Sequence, residues 1–117
     1  MRKLLLIFIF SLGILISFQA YEYVYSKASY YGGHHHGRKT ASGEVFNMNA
    51  DTAAHKKLPF GTKLEVTNTK NDQSVIVRVT DRGPFIAGRD LDLSKGAFSK
   101  IAKLSSGVIS IKYKIIK

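Results

Sequence analysis

The sequence predicts a small all-β domain, closed into a barrel and carrying one short helix. Three observations point there. The first is period-two alternation: in Thr62 to Asn68 the apolar Leu64 and Val66 alternate with Lys63 and Glu65, and in Ser74 to Thr80 Val75, Val77 and Val79 alternate with Ile76 and Arg78. The second is the single helical stretch, Lys95 to Lys103, in which Phe98, Ile101 and Ala102 share one face behind Ser94, a hydroxyl suited to cap the first turn. The third is size. The 117 residues contain no cysteine, so one core must hold the domain without disulfide staples. A closed barrel leaves no exposed strand edge, which favours it over an open sandwich.

The elements follow in order. Arg2 and Lys3 precede the apolar run Leu4 to Phe18, the pattern of an export signal ending near Ala20 or, failing cleavage, of a retained anchor. Residues 1–20 are therefore expected to be a signal segment, 21–27 a short lead and 28–117 the folded domain. A short strand is expected at Ala28 to Tyr31. After it, Gly32 to Gly43 is polar, glycine-rich and without apolar period, a long surface loop. Leu58-Pro59-Phe60-Gly61 turns into the strand Thr62 to Asn68. Asn71-Asp72 turns again into Ser74 to Thr80, completing a hairpin. Leu91-Asp92-Leu93 leads to the helix, and Val108 to Ile116 alternates as a closing strand.

Charge narrows the partners. The chain carries 18 Lys and Arg against 8 Asp and Glu, and an exported remainder lacking Arg2 and Lys3 keeps an excess of eight positive charges. Such a domain meets polyanions outside the membrane, and charge does not choose among wall polymer, lipid headgroup and carboxylate-bearing glycan. The lysines are dispersed, and no nucleic-acid-binding motif lies among them, so nucleic acid is not an expected partner. The absence of cysteine excludes a thiolate metal site and a cysteine-linked lipid anchor. His34, His35 and His36 are adjacent on a glycine-rich loop with no Asp or Cys to complete a set, so no metal and no cofactor are expected.

Three side chains at the margins of apolar segments are candidates for chemistry: Glu44, His55 and Asp81. Asp81 stands between a strand and the Gly83-Pro84 turn, where a carboxylate either accepts hydrogen bonds from nearby backbone N–H groups or serves as the acid of a cleft. Tyr30, Tyr31 and Phe46 either stack on sugar faces or pack in the core.

The runs ASYYG, HGRKTASGE, AAHKKLPFGT and TDRGPF, with DLDLS shortly after, stand in one order between Ala28 and the carboxyl terminus. Together they resemble the rare lipoprotein A family of septal lytic transglycosylases, built on a double-psi β-barrel. The resemblance implies a six-stranded barrel with a groove. It implies endolytic cleavage of the β-1,4 bond between N-acetylmuramic acid and N-acetylglucosamine in peptidoglycan, leaving 1,6-anhydro ends, in some relatives on glycan stripped of stem peptides. The family's catalytic acid falls on Asp81 and its two supporting polar residues on Glu44 and His55. His36 with Gly37 matches the family's HG pair and is expected on a groove-side loop. With Tyr30, Tyr31, Thr40 and Phe85 it makes the expected substrate-binding set.

One acid suffices for this reaction because the nucleophile, the sugar's own 6-hydroxyl, comes with the substrate, whereas ordinary glycosidases need two carboxylates. The expectation is that Glu44 and an apolar wall around Phe85 shelter Asp81, that Arg82 turns away from it, and that His55 orients the sugar or the acid. A monomer acting in the periplasm or outside the cell is expected. The competing reading is a non-catalytic, expansin-like module that binds or loosens the wall.

Overall fold

In the computed structural model, which describes residues 22–117, six strands close into a barrel. They are β1 (Val24–Tyr30), β2 (Thr52–Ala54), β3 (Lys63–Asn68), β4 (Ser74–Asp81), β5 (Leu91–Leu93) and β6 (Ile109–Ile115), and one helix, α1 (Lys95–Ile101), follows β5. Around the barrel the order is β1-β5-β2-β4-β3-β6, with β6 returning to β1. The β1/β5 and β2/β4 pairs run parallel and the other four antiparallel. The expected signal segment lies outside the described residues. Among those described, no helix is long and apolar enough to cross a membrane.

Alternation builds the core as the sequence implies. Leu64 and Val66 of β3 and Val77 and Val79 of β4 are buried to within 1% of full coverage, while Ile76 is half-exposed. They meet Leu91, Leu93, Ile111 and the plug of α1, Phe98 and Ile101. The β3/β4 hairpin pairs Lys63 with Arg78 through Thr67 with Ser74. Its tip places Asp72 at φ 61°, a left-handed position that aspartate tolerates.

α1 is shorter than its apolar face suggests. Ser94 caps it by accepting the N–H of Ala97, but Ala102 is already extended at φ −160°. Gly96 lets the first turn lie against Met48 and Asn49: its N–H donates to the Met48 carbonyl at 2.8 Å, and a Cβ there would stand 3.0 Å from the Asn49 carbonyl oxygen.

Two elements escape a period-two search. β2 is three residues, Thr-Ala-Ala, all buried, so nothing alternates. β1 begins at Val24 rather than Ala28 and pairs with β6 from its first residue, yet Val24, Tyr25 and Lys27 are all exposed and leave no pattern.

Phe98→Ala removes the largest fully buried side chain. Urea denaturation is expected to show a loss of about 3–5 kcal/mol. Ser94→Ala should cost about 1 kcal/mol through its lost cap.

Candidate active site

Asp81 sits at a break in the ladder. Between β2 and β4 the register steps from Ala53 opposite Val79 to Ala54 opposite Asp81, so Thr80 is an extra residue on β4. A bulge of this kind bends a strand and re-aims the side chain that follows. Here it presents the Asp81 carboxylate, half-buried, at the barrel rim. Oδ1 accepts the N–H groups of Ala41 and Arg82, both at 2.9 Å, and Oδ2 accepts the Tyr31 hydroxyl at 2.8 Å. Burial, and next the hydrogen bond to Asp81, push the Tyr31 phenol far above its usual range, so that it stays a donor. Its ring meets buried Phe46 edge-on at 4.9 Å.

A second carboxylate lies close by. Ala54 pairs with Asp81 on one side and with Asp92 of β5 on the other, so the two acids flank one residue. Asp92 accepts the Ser29 hydroxyl and lies 3.6 Å from the Arg89 guanidinium.

The expected surface loop is a tight hairpin tied to this rim. Lys39 bridges Val45, the Thr40 N–H and hydroxyl both donate to the Glu44 carbonyl, and Gly43 supplies the left-handed turn at φ 87°. Ser42 N–H donates to the Thr80 carbonyl, beside the bond from Ala41 to Asp81. Glu44 does not spend its charge on Asp81. Its carboxylate receives both terminal nitrogens of Arg78, at 2.6 and 2.7 Å, which holds it below its usual range and lifts Arg78. The pair is 40–45% exposed. Such a bridge contributes up to about 1 kcal/mol and weakens with salt.

Arg82 turns away as expected. Its guanidinium donates to the carbonyls of Leu58 (2.9 Å) and His55 (3.3 Å) and lies 4.0 Å from the Phe60 ring centroid. Phe85 forms no wall, because its side chain is 79% exposed. The aromatic residue that meets the carboxylate is Tyr31, through its hydroxyl, with Phe46 packed on the Tyr31 ring.

His55 follows β2, and its N–H donates to the Asp81 carbonyl at 3.1 Å. Nδ1 accepts the N–H groups of Lys57 and Leu58, both at 3.0 Å, so this nitrogen carries no proton. The ring proton is therefore on Nε2, which faces the Tyr113 hydroxyl at 3.2 Å, and that hydroxyl donates to Asp90 at 2.7 Å. Desolvation lowers the imidazole pKa most, the nearby Arg82, Lys56 and Lys57 lower it further, and Asp90 opposes them.

The remaining expected residues separate. Tyr30 packs on Phe98 at 4.7 Å and donates to the Leu104 carbonyl, facing the core. His36 accepts the Met48 N–H through Nδ1, clasping the loop base. The His34 and His35 rings lie 4.1 Å apart, tilted by 38°, and among the described residues no group of three or more His, Cys, Asp or Glu is placed to hold a metal. Sequence reading missed Tyr113, left Asp90 as a structural residue or one lining the groove, and offered Tyr31 for sugar stacking or core packing but not as a donor to Asp81. A tyrosine on the inward phase of a closing strand is a usable signal, since a buried phenol needs a partner.

With the barrel, the re-aimed acid and its loop in view, the fold is a double-psi β-barrel presenting a carboxylate at its rim. A family described as lytic transglycolase matches residues 24–113. The chain is 57% identical over 90 residues to a probable endolytic peptidoglycan transglycosylase RlpA of Synechocystis, covering 77% of this chain and 28% of that one. It is 52% identical over 96 residues to a protein of the same name in Aquifex aeolicus, covering 82% and 42%. In Campylobacter jejuni, an endolytic peptidoglycan transglycosylase RlpA is 53% identical over 89 residues, covering 76% and 32%. The chain thus spans well under half the length of these relatives. Among solved structures, a Streptomyces papain inhibitor superposes with a TM-score of 0.67 at 26% identity, covering 82% of this chain and 96% of that one. A Clavibacter michiganensis expansin mutant in complex with cellohexaose gives 0.67 at 23%, covering 82% and 51%, a likeness of fold. The chain belongs to the RlpA-like family of lytic transglycosylase double-psi β-barrels.

Nuclear magnetic resonance should find the His55 imidazole as the Nε2–H tautomer, titrating below the ordinary histidine midpoint of about 6.5. Because the unfolded chain binds this proton more readily, the His55 contribution to stability is fully present above about pH 6.5 and is lost as pH falls toward the lower folded midpoint. His55→Asn should remove that component from the stability–pH curve. An unchanged curve contradicts the assignment.

Proposed function

We propose that the domain is an endolytic peptidoglycan lytic transglycosylase, acting in the cell envelope on the linkage between N-acetylmuramic acid and N-acetylglucosamine. The observation that carries the reading is the Asp81 carboxylate: half-buried, aimed by a bulge, and fixed by three donors in a chain 52–57% identical to relatives bearing that name.

The reaction needs one proton carrier. Asp81 protonates the departing glycosidic oxygen as the bond from C1 of the muramyl sugar breaks. The 6-hydroxyl of the same sugar then closes on C1, and its proton returns to the carboxylate. No water is consumed, and Asp81 ends as it began. Oδ1 is committed to two backbone N–H groups, which leaves Oδ2 as the working oxygen. Tyr31 donates to that same oxygen and so fixes its direction.

Glu44 and His55 serve as positioning residues in this reading. Glu44 ties the hairpin to β4 through Arg78, and His55 fixes the turn beyond β2 through Lys57 and Leu58. Thr40 shapes the hairpin, and exposed Phe85 offers an apolar face to a sugar.

Incubating the protein with peptidoglycan and analysing the products by mass spectrometry is expected to reveal 1,6-anhydro muramyl ends. Asp81→Asn should lower their formation at least about a hundredfold, the scale of lost general acid catalysis, with the fold retained. Tyr31→Phe should lower kcat more than it alters KM. Glycan binding without any anhydro product would favour an expansin-like module instead.

A further inference from the structure

A cavity of about 930 Å³ opens at the end of the barrel away from Asp81. One wall is the turn between β3 and β4, from Asn68 to Asn71, and the other comes from the chain between Ala102 and Ser110. β4 starts just beyond that turn and ends, eight residues on, at Asp81. A strand rises about 3.3 Å per residue, so roughly 20 Å separates the cavity from the acid.

Hydrogen bonds fix both walls. The side-chain amides of Asn68 and Asn71 donate to the Ile101 carbonyl at 2.8 and 3.0 Å, and the N–H and hydroxyl of Thr69 donate to the Ser110 carbonyl at 3.1 and 3.2 Å. Gly107, at φ 70°, turns the opposite wall into β6. These donors are spent on the scaffold. Lys70, Lys103, Ser106 and Ser110 also line the cavity, and their ammonium and hydroxyl groups have no partner among the described residues. Among those residues no acid and no arginine lines it, and Asp72, next to Asn71, lies outside. Two like charges therefore share one recess without a counter-charge, a repulsion that a bound anion relieves.

We propose that this cavity binds phosphate groups of a polyol phosphodiester polymer, holding the domain on an anionic chain at a site separate from the Asp81 rim. The donors select phosphate. A planar carboxylate is matched by the guanidinium fork, which is absent here, whereas ammonium groups act as point charges for phosphate oxygens. Lys70 stands on one wall and Lys103, Ser106 and Ser110 on the other, so a tetrahedral group between them meets donors from both sides. The volume lies in the range of about 300–1,000 Å³ that takes whole small-molecule ligands, which admits the linking polyol as well as its phosphate. A bilayer finds little purchase, because no aromatic side chain lines the recess and Ile109 is already buried.

The test is calorimetric titration of the protein with polyglycerol phosphate, with polygalacturonate as a carboxylate polymer and phosphatidylglycerol vesicles as a bilayer presenting the same chemistry. Lys70→Gln with Lys103→Gln is expected to weaken polyglycerol phosphate binding about tenfold or more, the scale of charge-assisted contacts. Lys27→Gln with Lys63→Gln removes the same net charge elsewhere on the barrel and should leave that affinity nearly unchanged. Ser106→Ala with Ser110→Ala should weaken it about threefold, the scale of lost neutral hydrogen bonds. Amide resonances of Lys103, Ser106 and Ser110 should shift with the polymer and with inorganic phosphate, while those of Ala41 and Arg82 stay in place. On peptidoglycan free of phosphate polymer, the Lys70→Gln, Lys103→Gln protein should release anhydro ends as the wild type does. Equal weakening by the Lys27 and Lys63 changes, polygalacturonate or vesicles binding as tightly through Lys70 and Lys103, or loss of anhydro product on the phosphate-free glycan overturns the proposal.

Discussion

Three hydrogen bonds to one carboxylate organise the working end of this barrel. Ala41 and Arg82 give Asp81 their backbone N–H groups and Tyr31 its hydroxyl, and each donor belongs to a different neighbour: the hairpin, the turn and the end of β1. Bonds to a charged acceptor contribute about 1.5–3 kcal/mol each when they are well formed. The side chain best placed for proton transfer is thus also the clasp that holds its own surroundings. Reading Asp81 as a turn acceptor and reading it as a cleft acid are two descriptions of one geometry.

The bulge makes that geometry possible. With a regular ladder, Asp81 would share the inward face of Val77 and Val79. One inserted residue, Thr80, breaks the phase and brings Asp81 opposite Ala54. On the far side of Ala54 stands Asp92, so the three-residue strand β2 separates the two acids. Small side chains at Ala53 and Ala54 let β4 and β5 approach β2 with both residues fully covered. Around this edge the cations are matched to other partners, Arg78 to Glu44 and Arg82 to two carbonyls, so neither forms an ion pair with Asp81.

Much of this was legible in the residues. Alternation in β3, β4 and β6 gave strands with their buried faces, and Ser94 marked the helix start. The unread parts have physical causes. Thr-Ala-Ala has no period, and the first half of β1 is exposed on both faces. The destination of Glu44 depends on Arg78, 34 residues away, and the Tyr113–His55 bond spans 58. No local pattern encodes such pairings. The family resemblance carried by TASGE, AAHKKLP and TDRGPF pointed to Asp81, Glu44 and His55 together, but only the fold separates a carboxylate at the rim from a carboxylate spent on an arginine.

The most direct test of the clasp is amide hydrogen exchange at Ala41 in Asp81→Asn and Asp81→Ala proteins. Asparagine keeps an oxygen that accepts the Ala41 N–H, and alanine does not. The account predicts an Ala41 amide protected in the asparagine protein and released in the alanine protein, with the β3/β4 amides equally slow in both. Equal protection of Ala41 in the two proteins would show that the hairpin is held by something else, and that Asp81 is not the point on which this end of the barrel turns.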